Sequence, residues 1–416
     1  MYKILGEGSY GCIHSPSLKC KNKRKITNKN YVSKSLIKSD SEIEKHHMKF
    51  IKKIDPNYEY HLKTVEECTL DDNKTNNNEI KKCEIFSDID KYNKNDIKLI
   101  IMENGGLDIE KYSENVKTKE QSLIFWLKIQ KTIKAVKLYL DNNIIHNDLK
   151  AQNILYNEKT QKISIIDFGL MHSKKKKENA SKNYQLYKIR EVFNLLENKE
   201  TIFINEIHWS WPLENEYIEK NEFIKFIEKT SFDKHVKKIQ NILDNLEQIY
   251  KIKNTERINE ILDNNNKLDT YYTILNEIIL GTEYDIYNLL NDYLYNIYSI
   301  KKEYNESKNK SKYYDNFLET HLNTIDIYGL GISFITSLKI QQKKLPKELV
   351  DDFYKLFYRM ITPIIKNRIQ INDLLESYES VMNKYIKEYN YIFINNELIK
   401  MPKYYNIIKK SKNSKI

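Results

Sequence analysis

The stretch His146-Asn147-Asp148-Leu149-Lys150-Ala151-Gln152-Asn153 decides how this chain is read, together with Asp167-Phe168-Gly169, which begins fourteen residues after Asn153. Asp148 supplies a carboxylate able to accept a proton from a hydroxyl. Asn153 and Asp167 supply oxygens able to hold a divalent metal, one on each side of a short hairpin predicted from Ile154-Leu155-Tyr156 and Ile163 to Ile166. Phosphoryl transfer asks for that set, because its catalysis is mostly positioning and stabilisation of charge. Each string alone is weak. Their order and separation carry the reading.

Toward the N-terminal side, glycine placement is the next guide, since only nine glycines occur in 416 residues. Gly6, Gly8 and Gly11 form a G-x-G-x-x-G turn between two strand-like runs, where bare backbone can approach a triphosphate. A dinucleotide fold would need a helix straight after the third glycine. Cys12-Ile13 followed by Pro16 predicts a strand and a loop instead, so the turn reads as a flap over a nucleotide. Lys34 lies on the next predicted strand, Tyr31-Val32-Ser33-Lys34, where its ammonium can meet α- and β-phosphates. An amphipathic helix follows from Ser41, with Ile43, His47, Phe50, Ile51 and Ile54 at helical spacing and Pro56 as its stop. It offers Glu44 to hold Lys34, with Glu42 as the alternative; Met48, one turn beyond Glu44, faces the same interior side.

Residues 70–82 read as a polar loop, and Ile97 to Met102 as an apolar strand broken by Asn104-Gly105-Gly106. Helical patterns take over from there, starting with 120–141 and its broad apolar face. The change near residue 103 predicts a small β-rich lobe over 1–102 and a larger helical lobe over 103–416. Residues 215–320 form a long helical insert within the second lobe.

Composition narrows the classes. With 40% hydrophobic and 31% charged residues, a substantial core can form under a charged surface. The formal charge of +11 is spread through a chain rich in Lys, Asn, Ile and Tyr, so no basic stripe marks a clear nucleic-acid site. Cys12, Cys20, Cys68 and Cys83 are too scattered for a secreted disulfide scaffold or a zinc knuckle. They are expected as reduced thiols in a cytosolic compartment. No leader and no apolar run near ~18 residues is seen, so a soluble intracellular protein with no membrane partner is expected.

The order of these motifs resembles that of eukaryotic-type protein kinases. Further matches are Met102-Glu103-Asn104 at the hinge, Trp211-Pro212-Leu213-Glu214 at the Ala-Pro-Glu position, Asp326-Ile327-Tyr328-Gly329-Leu330-Gly331 as the buried-Asp helix, and Asn367-Arg368. The resemblance covers roughly 1–214 and 320–380. It implies an α+β, bilobal kinase-like fold and ATP with Mg²⁺ as cofactors. Leu5, Gly6, Glu7, Gly8, Ser9, Tyr10, Gly11, Cys12 and Ile13 would cover the nucleotide, with Lys34, Glu44 and Glu103 completing its site. Asp148 would be the catalytic base and Lys150 would steady the γ-phosphate. Asn153 and Asp167 would be the metal ligands. Glu214 and Arg368 would form a structural ion pair, and His146 and Phe168 would pack.

Lys150, two residues after the acid, resembles Ser/Thr kinases, so protein substrates with Ser/Thr acceptors are expected. Gly11-Cys12-Ile13, Pro16-Ser17-Leu18-Lys19-Cys20, Tyr31-Val32-Ser33-Lys34 and Ile54-Asp55-Pro56 look like the Ser/Thr kinases of large nucleocytoplasmic DNA viruses. That implies host cytoplasm or virion; an AT-rich protist is the other source considered.

Several positions depart from the pattern. Asn147 replaces the Arg that binds an activation-segment phosphate, which implies activity without such phosphorylation. Val32 stands at a usual Ala, and Lys174 to Lys177 read as a solvated loop. The 215–320 insert offers a partner surface, and little room is left for a helix between the Asp326 helix and the next one at Glu348–Ile361. A pseudokinase scaffold is the alternative class. Retention of Lys34, Asp148, Asn153 and Asp167 argues against it.

Overall fold

The computed structural model describes residues 2–8, 11–21, 30–88, 91–176, 184–188, 210–218, 220–228, 232–237, 239–241, 243–244, 286–388, 391–394 and 397–400. The chain opens with strands β1 (Lys3–Gly8), β2 (Gly11–Ser15) and β3 (Tyr31–Ile37), then helix α1 (Lys38–Ile54), β4 (Thr64–Thr69), helix α2 (Lys74–Ile80) and β5 (Ile97–Glu103). The five strands form one antiparallel sheet in the order β1-β2-β3-β5-β4. Side chains alternate across such a sheet, so its two faces carry different residues. One face sets Ile13, Lys34 and Ile100 in register and meets Met48 of α1. The other sets Cys12, Ser35 and Leu99 in register. That face buries Ile80, Cys83, Phe86, Ile97, Leu99 and Ile101.

The second face explains two departures from expectation. The segment 70–82 is not all loop. Asn73 accepts a hydrogen bond from the Asn76 amide and starts α2, which brings the fully buried Ile80 onto the sheet. Wrapping this segment over the sheet also joins the cysteines. Cys12 is bonded to Cys83 and Cys20 to Cys68, with Cα–Cα separations of 6.1 and 5.7 Å. The expectation of reduced thiols is therefore corrected, and the argument it gave for a reducing compartment falls. Sequence spacing missed the pairs because 71 and 48 residues separate the partners; only the folded sheet brings them together.

Beyond Glu103 come β6 (Leu107–Asp108), α3 (Ile109–Asn115), α4 (Lys119–Asp141), β7 (Ile144–Ile145), β8 (Ile154–Asn157), β9 (Lys162–Ile165), β10 (His172–Lys176) and β11 (Tyr184–Lys188). A reciprocal cap between Thr118 and Gln121 starts α4. Small sheets β6-β8-β9 and β11-β10-β7 carry the loops of the opening motif. Lys174 to Lys176 lie on β10 and not on a loop; Lys177 is outside the described residues.

The rest is helical: α5 (Lys220–Glu228), α6 (Ile286–Glu306), α7 (Lys310–Gln341), α8 (Lys347–Ile361) and α9 (Ile371–Glu388), before a hairpin of β12 (Tyr391–Ile394) and β13 (Glu397–Lys400). Trp126 of α4, Phe334 of α7, Phe353 and Phe357 of α8 and Tyr378 of α9 centre the core of this lobe. The Tyr378 hydroxyl donates to the Trp126 carbonyl at 2.5 Å, so the buried phenol is satisfied. The described part of the insert is built into the same core: Phe223 packs on Tyr304, Tyr314 and Phe317, and Leu289, Leu290, Tyr293 and Ile297 are buried. Only the short turn Gln342–Lys344 and two residues after it separate α7 from α8. Among the described residues, no helix is long and apolar enough to cross a membrane.

Candidate active site

The side of the candidate site that holds the glycine turn and Lys34 is built on β1, β2, β3 and α1. A methyl group at Gly6 or Gly8 would meet nothing within 4 Å, whereas one at Gly11 would lie 2.0 Å from the Ser35 carbonyl oxygen. The three glycines therefore serve different needs. Gly11 lets β2 approach β3 closely, and Gly6 and Gly8 border open space in which backbone can face a ligand. Ser9 and Tyr10 lie outside the described residues. Leu5 sits at the bulge between Ile4 and Gly6 and stays exposed.

Glu7 and Cys12 do not point their side chains toward the nucleotide face. They pair across β1 and β2 on the face opposite Lys34, where Glu7 accepts a hydrogen bond from the Glu84 amide and Cys12 is joined to Cys83. Period-two alternation sets this, so only their backbones can border a nucleotide. Ile13 lies on the Lys34 face. At the far edge, β5 ends at Glu103, whose amide donates to the Lys63 carbonyl, and the Asn104 amide donates to the Asn30 carbonyl.

Lys34 Nζ lies 2.9 Å from Glu44 Oε2, both about four-fifths buried, while Glu42 is exposed. Burial alone would push the ammonium down. The carboxylates of Glu44 and Asp167 outweigh it and hold the Lys34 pKa above its ordinary value. A cation that stays charged is what phosphate oxygens require.

The loop that carries Asp148 is held from behind. Asp326 on α7 accepts the His146 and Asn147 amides on its two oxygens, each at 2.8 Å. Burial raises this carboxyl to about 6, and the two amides pull it back down in part. Gly329, one turn on, lets α7 reach the loop: a methyl there would lie 2.3 Å from the Leu149 carbonyl oxygen. His146 is fully buried, and burial lowers its pKa. Its Nε2 donates to the Ile166 carbonyl at 3.1 Å, and its Nδ1 accepts the Asp148 amide at 3.3 Å. Phe168 packs beside it with its ring tilted by 54° and the ring centroids 4.9 Å apart.

Asp148 projects from this frame, 7% exposed. Lys150 Nζ lies 3.1 Å from each of its oxygens, and Asn153 Nδ2 donates to its Oδ2 at 2.9 Å and to its backbone carbonyl at 2.8 Å. Burial raises the Asp148 pKa; Lys150 and His146 oppose the rise, and Asp167 adds to it. Since Asn153 spends its donors on Asp148, the atom left for a metal is its carbonyl Oδ1. Asp167 is exposed and holds a left-handed backbone at φ 62°. An amide oxygen and an exposed carboxylate form a hard-oxygen set that suits Mg²⁺. The close cluster of Glu7, Cys12 and Cys83 does not compete for that role, because both of its sulfurs are in a disulfide.

Two supports were not found by reading the sequence. Asp55, just after α1, accepts hydrogen bonds from the Glu59 and Tyr60 amides and His61 Nδ1 at 2.9, 2.8 and 2.7 Å. Burial would raise its pKa, but these donors hold it below the ordinary value. The loop so formed gives the Tyr60 carbonyl to the Ile165 amide at 2.8 Å, and so fixes the strand that leads to Asp167. The only hint was Asp-Pro after a helix.

The second is His321. Glu214 and Arg368 meet at 2.7 Å with both side chains fully buried, and His321 Nδ1 lies 3.4 Å from the same Glu214 oxygen. Burial alone would raise Glu214; Arg368 and His321 outweigh it and bring its pKa to about 2. His321 belongs to no recognisable string, so only the fold reveals it.

Compared with known proteins, residues 1–189 match the family model of the protein kinase domain. No curated protein matches the chain. The matched stretch runs from the glycine turn through Asp167-Phe168-Gly169 to β11, and so contains Lys34, Glu44, Asp148, Lys150, Asn153 and Asp167. An antiparallel β lobe, a mostly helical second lobe and this match define a bilobal α+β protein kinase fold. Residues 1–189 are thus similar to the protein kinase domain, the class that uses ATP to phosphorylate proteins.

Proposed function

We propose that the protein is a serine/threonine protein kinase that transfers the γ-phosphoryl group of ATP, with Mg²⁺, to hydroxyls of protein substrates. The observation that carries the reading is the Asp148 carboxylate, held between Lys150 and Asn153 and lying near Asp167, which in turn lies near Lys34 of the Lys34–Glu44 pair. In this reading Asp148 orients the acceptor hydroxyl and takes its proton, for which a buried carboxylate with a raised pKa is suited. Lys150 bridges that acid to the incoming phosphoryl oxygens, and Lys34 binds the remaining phosphates. Asn153 and Asp167 hold the metal, which when bound neutralises charge on the phosphates.

The Ser/Thr preference rests on Lys150. A viral lineage rests on the motif resemblance, and independence from activation-loop phosphorylation on Asn147. The helical insert is proposed to carry a protein-binding surface around Tyr295, 60% exposed on α6. Tyr295→Ser should weaken capture of the natural substrate and spare a short peptide; equal loss on both would remove that role.

A radiolabelled transfer assay on mixed protein substrates, followed by phosphoamino-acid analysis, tests the function. Label on Ser or Thr that disappears with Asp148→Ala is the expected result. Label on Tyr would overturn the specificity, and no label above the Asp148→Ala control would turn the reading toward a pseudokinase.

A further inference from the structure

Asn147 holds φ at 61°, in the left-handed region that Asn tolerates better than most residues. Both polar groups of its backbone are taken by distant elements. Its amide donates to Asp326 Oδ1 at 2.8 Å, and its carbonyl accepts Trp211 Nε1 at 2.7 Å. The Trp211 ring is 4% exposed, so its N–H is spent on that carbonyl away from water. Three residues on, Glu214 is locked into the fully buried pair with Arg368. The segment carrying Trp211 is thus anchored at one end in the helical core and touches the catalytic loop at the other.

The carbonyl of Asn147 belongs to the peptide unit that leads into Asp148. Fixing that carbonyl fixes the plane from which the Asp148 side chain departs. A buried carbonyl without its donor would turn to find another, and the carboxylate would move with it. The donor here is an indole, which is neutral and does not titrate. Its contact needs neither a phosphate nor a particular pH.

We propose that Trp211 is a positioning residue, a standing latch between the segment at 210–218 and the catalytic loop that sets the direction of Asp148. The proposal rests on the reading of Asp148 as the catalytic acid, and it explains how the loop keeps its conformation although Asn147 offers no charge to bind a phosphate. Proteins of this build would need the N–H of residue 211 and not merely its bulk.

Two variants separate those requirements. Trp211→Phe removes the N–H and some volume. Incorporation of β-(3-benzothienyl)alanine at 211 replaces the N–H by sulfur at nearly constant shape. With both, kcat should fall by about 10- to 100-fold, the scale of a displaced catalytic group. KM for ATP should stay within about twofold, because Lys34 and Glu44 are untouched. Hydrogen exchange should quicken at the amides of residues 146–149 while α8 and α9 keep wild-type protection. Unchanged exchange in the benzothienyl variant would overturn the latch, whatever the activity. Unchanged kcat in both variants beside an active wild type would also overturn it. A wild type no more active than Asp148→Ala would instead strike at the kinase reading, with the exchange result still deciding the latch.

Discussion

The two lobes secure their functional residues by different means. In the β lobe, Lys34 and Glu44 form an ion pair with partial access to water, beneath glycines that border open space. Rigidity there comes from the far face of the sheet, through two disulfides and the α2 segment. In the helical lobe, Asp148 sits on a loop fixed by buried polar groups: Asp326, the Trp211 indole, and behind them Glu214, Arg368 and His321. In the proposed function, the part that admits and releases a nucleotide is braced from outside, and the part that aims one carboxylate is wired from inside.

The largest effect should come from the aimed carboxylate. Asp148→Ala should lower kcat by about 10²–10⁴-fold, the range for a lost general base, and leave nucleotide affinity within about twofold. Asp167→Ala should lower turnover as severely but also weaken Mg²⁺-dependent nucleotide binding. Nucleotide titration beside the turnover assay distinguishes them. If Asp148→Ala weakened ATP binding as much as Asp167→Ala, the division of labour between the lobes would be wrong.

Next come the cross-links. They join residues 71 and 48 positions apart, and loops of that length stabilise a fold by about 4 kcal/mol each in the chain-entropy picture. A reductant should therefore lower the melting temperature and raise KM for ATP, with little change in kcat at saturating ATP. Cys20→Ser with Cys68→Ser should reproduce the loss of stability. The same melting curve with and without reductant would show that the outer face needs no covalent brace.

Glu214 tests the other lobe. Glu214→Gln leaves Arg368 charged and fully buried without its partner, a defect of about 3–5 kcal/mol. The pH dependence has a definite sign. The Glu214 pKa in the fold is depressed to about 2 from an ordinary 4.5, so its contribution is full above pH 4.5 and is lost as pH falls toward 2. Asp326 runs the other way. Raised from 3.8 to about 6, it binds its proton more tightly in the fold, so its contribution declines as pH rises between those values. Melting of wild type and Glu214→Gln from pH 2 to 7 should converge at the acid end. Parallel curves would mean that Glu214 is not the titrating group.

The sequence revealed one kind of feature and hid another. Lys34, Asp148, Asn153 and Asp167 were legible because each lies in a short string whose spacing reflects local geometry. Glu44 was favoured over Glu42 by helical spacing with Met48, and the fold sets Glu44 beside Lys34. What stayed hidden depends on contacts across long separations. The disulfides, His321 beside Glu214, and the indole on Asn147 join residues 48 to 107 positions apart. Glu7 and Cys12 show the same limit. They lie inside a legible motif, yet which face their side chains take depends on register against β2 and β3.

The smallest effect is the most diagnostic for the wired lobe. Ser173 lies on β10, and Ser181 and Thr201 lie outside the described residues. A kinase whose loop must be organised by phosphate loses most of its rate when such hydroxyls are removed, because a cationic side chain is left unpaired beside the acid. Here residue 147 is a neutral Asn, and both its backbone groups already have buried partners. A phosphate added nearby would find no charge at that position to bind. Substituting Ser173, Ser181 and Thr201 together by Ala should thus change kcat by less than about twofold, since no contact that aims Asp148 is lost. A fall beyond tenfold would mean that the interior wiring is incomplete until the segment is phosphorylated, and the contrast between the lobes would then hold only for the modified protein.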